Sequence, residues 1–229
     1  MLDLIIFDMD GVIVDTEYFG FEHLKNFIDE IKTRQSPISH QEYSAIIGRS
    51  YDDLYLAIKT LSQTDLSVND IGKMLSEYVQ KHIKEIDYIS IFRKDIIEII
   101  HFAKQQNIKL AIASSSSRQQ IENILILCKI RPHFDFIISG KELPQSKPNP
   151  AIYQKVLAHF SIPANKAVTI EDSSHGIQAA KKAGITVIAY EETRIAIDQT
   201  LADYKGKNML EILDIIKRLH FKNRTKNEI

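Results

Sequence analysis

The chain has 229 residues, 44% hydrophobic and 26% charged, an ordinary balance for a globular protein long enough to bury a sizeable core. Lys and Arg total 29 against 30 Asp and Glu, so a net charge of −1 argues against a nucleic-acid partner and against a basic membrane face. Cys128 is the only cysteine, which excludes an internal disulfide, and its place in the apolar run 124–128 predicts a packed thiol. The N-terminus has neither the basic region nor the apolar stretch of a signal peptide, and no segment approaches the ~20 apolar residues of a membrane span. A soluble, cytoplasmic protein is expected. A monomer is the working expectation, although no feature of the sequence sets an oligomeric state. The basic residues 222–226 read as a polar terminus.

In chain order, residues 4–7 form an apolar run too short for a helix and right for a buried strand, and it stops at Asp8-Met9-Asp10-Gly11. Residues 16–88 then show helical patterns only. Leu24, Phe27, Ile28 and Ile31 make one stripe. Ser39 followed by Glu42 is a capping-box pattern, opening a short helix expected to end at Gly48. Ser50 begins another, with Leu54, Leu56 and Ile58 behind it, and Ile71, Leu75, Tyr78, Val79 and His82 make the last.

Beyond residue 89 strands and helices alternate. Phe92, Ile96, Ile99, Ile100 and Ala103 fall at helical spacing, closed by Asn107. The apolar runs 108–113, 136–138, 167–170 and 186–190 read as strands. Between them, helical stripes contain Ile121, Ile124, Leu125 and Cys128, then Ile152, Val156 and Leu157, then Ile177, Ala180 and Ala183. Such alternation predicts an α/β fold with a parallel sheet and helices on both faces, and continuous apolar runs are what its buried strands require. The expected organisation is one α/β domain of residues 1–15 and 89–229, interrupted by a helical bundle of residues 16–88.

Ligands bind an open parallel sheet outside the carboxyl ends of its strands. Asp8 and Asp10 follow the first run, Ser114 the second, and Glu171 and Asp172 the fourth. Parallel strands would gather all of them at one edge. Four carboxylates there would repel, and a hard divalent cation with all-oxygen ligands, Mg2+ above all, would offset the charge. Taken alone, Asp8 and Asp10 could simply shape a turn before Gly11. Together with the second acidic pair, they suit a metal that leaves water as the nucleophile, or a carboxylate nucleophile beside a second carboxylate that protonates a leaving oxygen and then deprotonates water. Ser114 can donate to a phosphoryl oxygen, with the start of the following helix beside it, or it belongs merely to a serine cap, since Ser-x-x-Gln occurs at Ser116 and Ser117. Lys147 lies between prolines in Pro144-Gln145-Ser146-Lys147-Pro148-Asn149-Pro150, a stiff loop suited to holding one fixed positive charge, although a lone loop lysine is often solvated.

These residues resemble the four motifs of the haloacid dehalogenase superfamily, in order and spacing, over essentially the whole chain. The segment from Asp8 to Glu17 is similar to the first motif, Ala113-Ser114-Ser115-Ser116 to the second, Ser146-Lys147-Pro148-Asn149-Pro150 to the third and Glu171-Asp172-Ser173 to the fourth. The helical insert resembles the cap of the phosphatase and β-phosphoglucomutase branch, on a Rossmann-like core. The resemblance implies Asp8 as nucleophile and Asp10 as acid/base, with its backbone carbonyl on the metal. It implies Mg2+ held by Asp8, Asp10, Asp172 and, directly or through water, Glu171. Ser114, Ser115 and Lys147 would hold the phosphoryl group. Dehalogenase and phosphonate-cleaving members lack an acid at the position of Asp10, so its presence here implies phosphate esters. In the cap, Glu17 and Arg49 are candidates for substrate contact, Arg49 with a second anionic group, while a solvated arginine after Gly48 is equally consistent. Relatives including β-phosphoglucomutases have a histidine where this chain has Gly20, which disfavours a mutase.

The expected function is therefore Mg2+-dependent hydrolysis of a small phosphorylated metabolite, a sugar phosphate or similar, through an aspartyl-phosphate. The alternatives are a β-phosphoglucomutase-like phosphosugar mutase and a non-catalytic binding or regulatory protein on the same fold.

Overall fold

The computed structural model describes residues 1–47, 51–82 and 86–222. The chain divides into two compact units, one of Met1–Asp15, Tyr88–Glu192 and the chain from Asp198, the other of Thr16–Asp87 and Thr193–Ile197.

In the first unit, six strands form one parallel sheet: β1 (Leu4–Phe7), β2 (Lys109–Ser114), β3 (Phe136–Ser139), β4 (Ala167–Glu171), β5 (Thr186–Tyr190) and β6 (Tyr204–Gly206). Their order is β3-β2-β1-β4-β5-β6. The most apolar strands are therefore central, where both faces are covered. Alternate residues serve opposite cores. Ile5, Phe7, Leu110, Ile112, Val168 and Ile170 pack on one side with α5 (Ile96–Gln105), α6 (Arg118–Leu127) and α9 (Met209–Phe221). Leu4, Ile6, Ala111, Ala113 and Val187 pack on the other with α7 (Ala151–Phe160) and α8 (Ser174–Lys182).

Helix boundaries follow local chemistry. Ser117, Ser173 and Asn208 accept backbone N–H bonds at the starts of α6, α8 and α9. Asn107, with φ +55°, takes the left-handed conformation just past α5. Phe92 is not helical as its spacing predicted. It pairs in extended conformation with Val14, so the chain leaving the sheet and the chain returning to it run side by side. Arg93 ties that crossing, donating to Asp15 Oδ1 at 2.9 Å and stacking on the Tyr190 ring. Strand β6 and helix α9 were not among the expected elements: β6 is three residues long and mostly exposed, whereas α9 has buried apolar residues at helical spacing, Met209, Ile212, Leu213 and Ile216, behind its Asn208 cap.

The second unit holds α1 (Thr16–Ile31), α2 (His40–Ser44), α3 (Tyr51–Ser62) and α4 (Val68–His82) around Phe21, Phe27, Ile28, Ile58 and Ile71. The capping box is present: Ser39 and Glu42 bond reciprocally. Helix α2 ends at Ser44, short of Gly48, which lies outside the described residues. Leu56 and Val79 sit on exposed faces rather than in the core. Thr193–Ile197, which nothing in its sequence separates from its neighbours, belongs to this unit. Ile195 is buried in its core, Arg194 stacks on Tyr18, and the Arg194 carbonyl meets His40 Nε2 at 2.6 Å. Among the described residues, no helix is long and apolar enough to cross a membrane.

Cys128 caps α6 against the first core, and burial pushes its thiol up to about 11. At pH 8 the native thiol is thus almost wholly protonated. An aromatic disulfide reagent should label native protein at least about tenfold more slowly than a model thiol and reach full stoichiometry only after denaturation. Rapid labelling of folded protein would contradict the packing described.

Candidate active site

Register places the chemistry. Phe7 pairs with Ile112 on one side and Ile170 on the other. The next residues, Asp8, Ala113 and Glu171, consequently share one level at the carboxyl edge, with Ser114 and Asp172 a step beyond. The Asp8 amide continues the ladder by donating to the Ile170 carbonyl at 3.0 Å. The chain then turns within three residues. Ile13 N–H and Val14 N–H both donate to the Met9 carbonyl, and Gly11 N–H donates to Val14. Gly11 sits at φ +73°, where a side chain would be strained, so the Asp-x-Asp-Gly pattern is a condition of this turn.

Lys147 stands at the centre of the site. Its Nζ lies 2.6 Å from Glu171 Oε1 and 3.1 Å from Asp8 Oδ1, and it donates to the Ala113 carbonyl at 3.0 Å. The Asp8 contact is ionic rather than a well-directed hydrogen bond. The lysine side chain is 5% exposed, so the solvated-loop reading of Lys147 is overturned. Burial works to lower its pKa, but Asp8 and Glu171 outweigh burial and hold it firmly protonated. Glu171 is completely buried. Its Oε1 also accepts from Tyr153 OH at 2.5 Å and its Oε2 from Ser173 Oγ at 3.2 Å. Gly176, in the first turn of α8, makes room for this carboxylate: a Cβ there would lie 2.0 Å from its oxygens.

Asp8 behaves differently from Lys147. Burial first, then Glu171 and Asp10, push its carboxyl well above the ordinary range, with Lys147 only partly opposing them. Asp8, Glu171 and Asp172 are all buried, with one ligand oxygen from each inside a 4.8 Å cluster. One ammonium on a set of carboxylates leaves a negative deficit that a small divalent cation would offset, and an all-oxygen donor set fits a hard ion. Asp172 is fixed from behind, since Gln199 Nε2 donates to its carbonyl at 2.6 Å and to that of Tyr190 at 2.8 Å.

The remaining predicted residues divide. Ser114 is fully buried and its Oγ accepts from the Ser116 amide at 3.0 Å, leaving the hydroxyl hydrogen for a further acceptor. Asp10 Oδ2 accepts from Ser116 Oγ at 2.6 Å. Ser115 is exposed beside them. Of the two capping patterns in the serine run, Ser117 is the cap, accepting from Gln120 N–H. Glu17 lies in the first turn of α1, in the helical unit, where an acid complements the helix dipole. Arg49 lies outside the described residues.

Tyr153 and Ser116 were missed as site residues. Tyr153 adjoins the apolar stripe of α7 and reads as core, yet a buried tyrosine needs a partner for its hydroxyl, and that need was the available signal. Ser116 was visible only as a cap.

This arrangement defines the class: a hydrolase on a Rossmann-like parallel sheet, with its acidic catalytic cluster where the central strands end. Residues 5–190 match the haloacid dehalogenase-like hydrolase family, and the chain belongs to that family. It is 29% identical over 184 residues to the phosphorylated carbohydrates phosphatase of Thermotoga maritima, covering 80% of this chain and 82% of the relative. It is 25% identical to hexitol phosphatase B of Escherichia coli, covering 90% and 92% of the two chains. The crystal structure of CbbY from Rhodobacter sphaeroides in complex with phosphate superposes with a TM-score of 0.65 at 25% identity, over 93% of this chain and 96% of that one.

Replacing Tyr153 by phenylalanine leaves the ring and removes one donor from a buried carboxylate. Urea denaturation should show a loss of about 1–3 kcal/mol, the scale for a buried hydrogen bond to a charged group. Unchanged stability would mean that the Glu171 contact contributes nothing.

Proposed function

We propose that this chain is a Mg2+-dependent phosphatase that hydrolyses a small phosphorylated metabolite, a sugar phosphate or similar compound, through an aspartyl-phosphate on Asp8. The observation that carries the reading is the buried Asp8 carboxylate 3.1 Å from the Lys147 ammonium, with Asp10 two residues on. The phosphatases among the relatives, and the phosphate complex of the CbbY structure, support the same substrate chemistry.

Asp8 attacks phosphorus, the bond to the leaving oxygen breaks, and Asp10 supplies that oxygen with a proton. Asp10, now a carboxylate, takes a proton from water, whose oxygen attacks the same phosphorus and releases Asp8 and inorganic phosphate. Ser114 and Lys147 hold the phosphoryl oxygens, a role in which Lys147 needs the permanent charge its neighbours confer. Ser115, exposed beside Ser114, would add a contact, and Glu17 and Arg49 remain proposals for the leaving group. Asp8, Asp172 and the Asp10 backbone carbonyl would hold the Mg2+ ion, with Glu171 beside it. When bound, the ion neutralises charge on the transferring phosphoryl group. The absence of a histidine at Gly20 favours water as the final acceptor over a second sugar hydroxyl.

Phosphate release from a panel of phosphorylated sugars and nucleotides should require Mg2+ and fall by about 10⁴-fold or more in Asp8→Asn, the scale on which removing a covalent nucleophile acts. Isomer formation without phosphate loss would replace hydrolysis by mutase chemistry. Turnover retained in Asp8→Asn would defeat the covalent route.

The raised pKa of Asp8 gives a second prediction. A carboxyl whose pKa is raised by burial and by neighbouring carboxylates gives up proton occupancy when a cation binds it, so Mg2+ affinity should rise with pH over the range in which Asp8 titrates. Calorimetric Mg2+ titrations in two buffers of different ionisation enthalpy should show proton release, largest at low pH. Zero release at every pH would contradict the assignment.

A further inference from the structure

We propose that Ser116 is a positioning residue for Asp10, and that Ser139 holds Ser116 in place for that task. The inference rests on the acid/base role proposed for Asp10. Ser116 is bonded at three atoms. Its amide donates to Ser114 Oγ at 3.0 Å, its carbonyl accepts from Ser139 Oγ at 2.6 Å, and its hydroxyl donates to Asp10 Oδ2 at 2.6 Å. Helix capping does not need that hydroxyl, because Ser117 caps α6.

Ser139 stands at the end of β3 and is fully buried. Its hydroxyl gives its one proton to the Ser116 carbonyl and accepts from the Lys141 amide at 3.1 Å. The ends of β3, β2 and β1 are thus joined by a directed chain of donors, Ser139 to Ser116 to Asp10. No carboxylate of the metal cluster lies in this chain.

The physical consequence falls on the plane of the Asp10 carboxyl group. Asp10 is only half-buried and projects from a tight turn, and the torsion that rotates a carboxyl group is intrinsically broad. A short hydroxyl-to-carboxylate bond at Oδ2 breaks if the group rotates, so Ser116 selects one plane. Proton transfer to a leaving oxygen depends on that orientation.

The test separates orientation of a proton donor from general damage. An alkyl leaving oxygen needs a proton as its bond breaks, whereas p-nitrophenolate departs without one. Ser116→Ala should lower kcat/KM for the best alkyl phosphate of the panel by about 10- to 100-fold, and for p-nitrophenyl phosphate by at least about tenfold less, out of the 10²–10⁴ available to general acid–base catalysis. Ser116→Thr, which keeps the hydroxyl, should restore most of the alkyl rate, and Ser139→Ala should show the same selectivity at smaller size. Ser116→Gly provides the same comparison if alanine disturbs the loop, and circular dichroism checks each fold. Equal losses on both substrates, or no rescue by threonine, would overturn the positioning role. Asp10→Asn is the reference. If it shows no leaving-group selectivity, the acid/base role of Asp10 falls and this inference falls with it. If the wild type releases phosphate from neither substrate, the phosphatase reading itself is what fails.

Discussion

A protonated lysine shared between two buried carboxylates is the contact around which this site is organised. Lys147 has no solvent to stabilise its charge, so Glu171 at 2.6 Å and Asp8 at 3.1 Å must do so. The two carboxylates are not equivalent. Glu171 has Tyr153 and Ser173 as further donors to its oxygens, whereas the Asp8 carboxyl is pushed toward its neutral form by burial and by Glu171 itself. Removing one member of such a set leaves a buried charge without compensation, which is why an ion cluster of this kind constrains the packing around it.

Much of the surrounding structure serves that constraint. The parallel register of β1, β2 and β4 puts Asp8 and Glu171 level with each other and with Ala113, whose carbonyl takes a third Lys147 contact. Helix α7 brings Tyr153 beneath Glu171, and its ring lies 5.4 Å from the lysine ammonium. Helix α8 can start where it does only because Gly176 has no Cβ to meet the Glu171 oxygens. On the opposite flank, the Ser116 hydroxyl donates to Asp10 while the Ser139 hydroxyl donates to the Ser116 carbonyl. Asp8 and Asp10 are therefore supported by different elements, although only two residues apart in sequence.

How much was legible depended on the range of the interaction. Asp8, Asp10, Ser114, Lys147, Glu171 and Asp172 could be proposed because each directly follows a strand or sits in a proline-stiffened loop, signals spanning a few residues. The strands could be read because buried parallel strands are continuous apolar runs. Ser139 and Gln199 could not be singled out, because each acts through a partner 23 to 27 residues away in sequence, Ser139–Ser116 and Gln199–Asp172, and Tyr153 offered only the need of a buried hydroxyl for a partner. Phe92 illustrates the opposite error: its spacing suited a helix, but pairing with Val14 across the inserted unit decided its conformation.

By itself, the sequence determined the α/β alternation, the inserted helices, the capping box at Ser39 and the identity of the acidic and basic groups, because these depend on periodicity and on side chains a few positions apart. Tertiary structure alone decided which oxygen meets which donor. It placed Lys147 between Asp8 and Glu171, turned the Ser116 hydroxyl onto Asp10 rather than onto the start of α6, and drew Thr193–Ile197 into the helical unit. Those outcomes follow from strand register and from burial, and burial is a property of the folded chain that no short window of sequence contains.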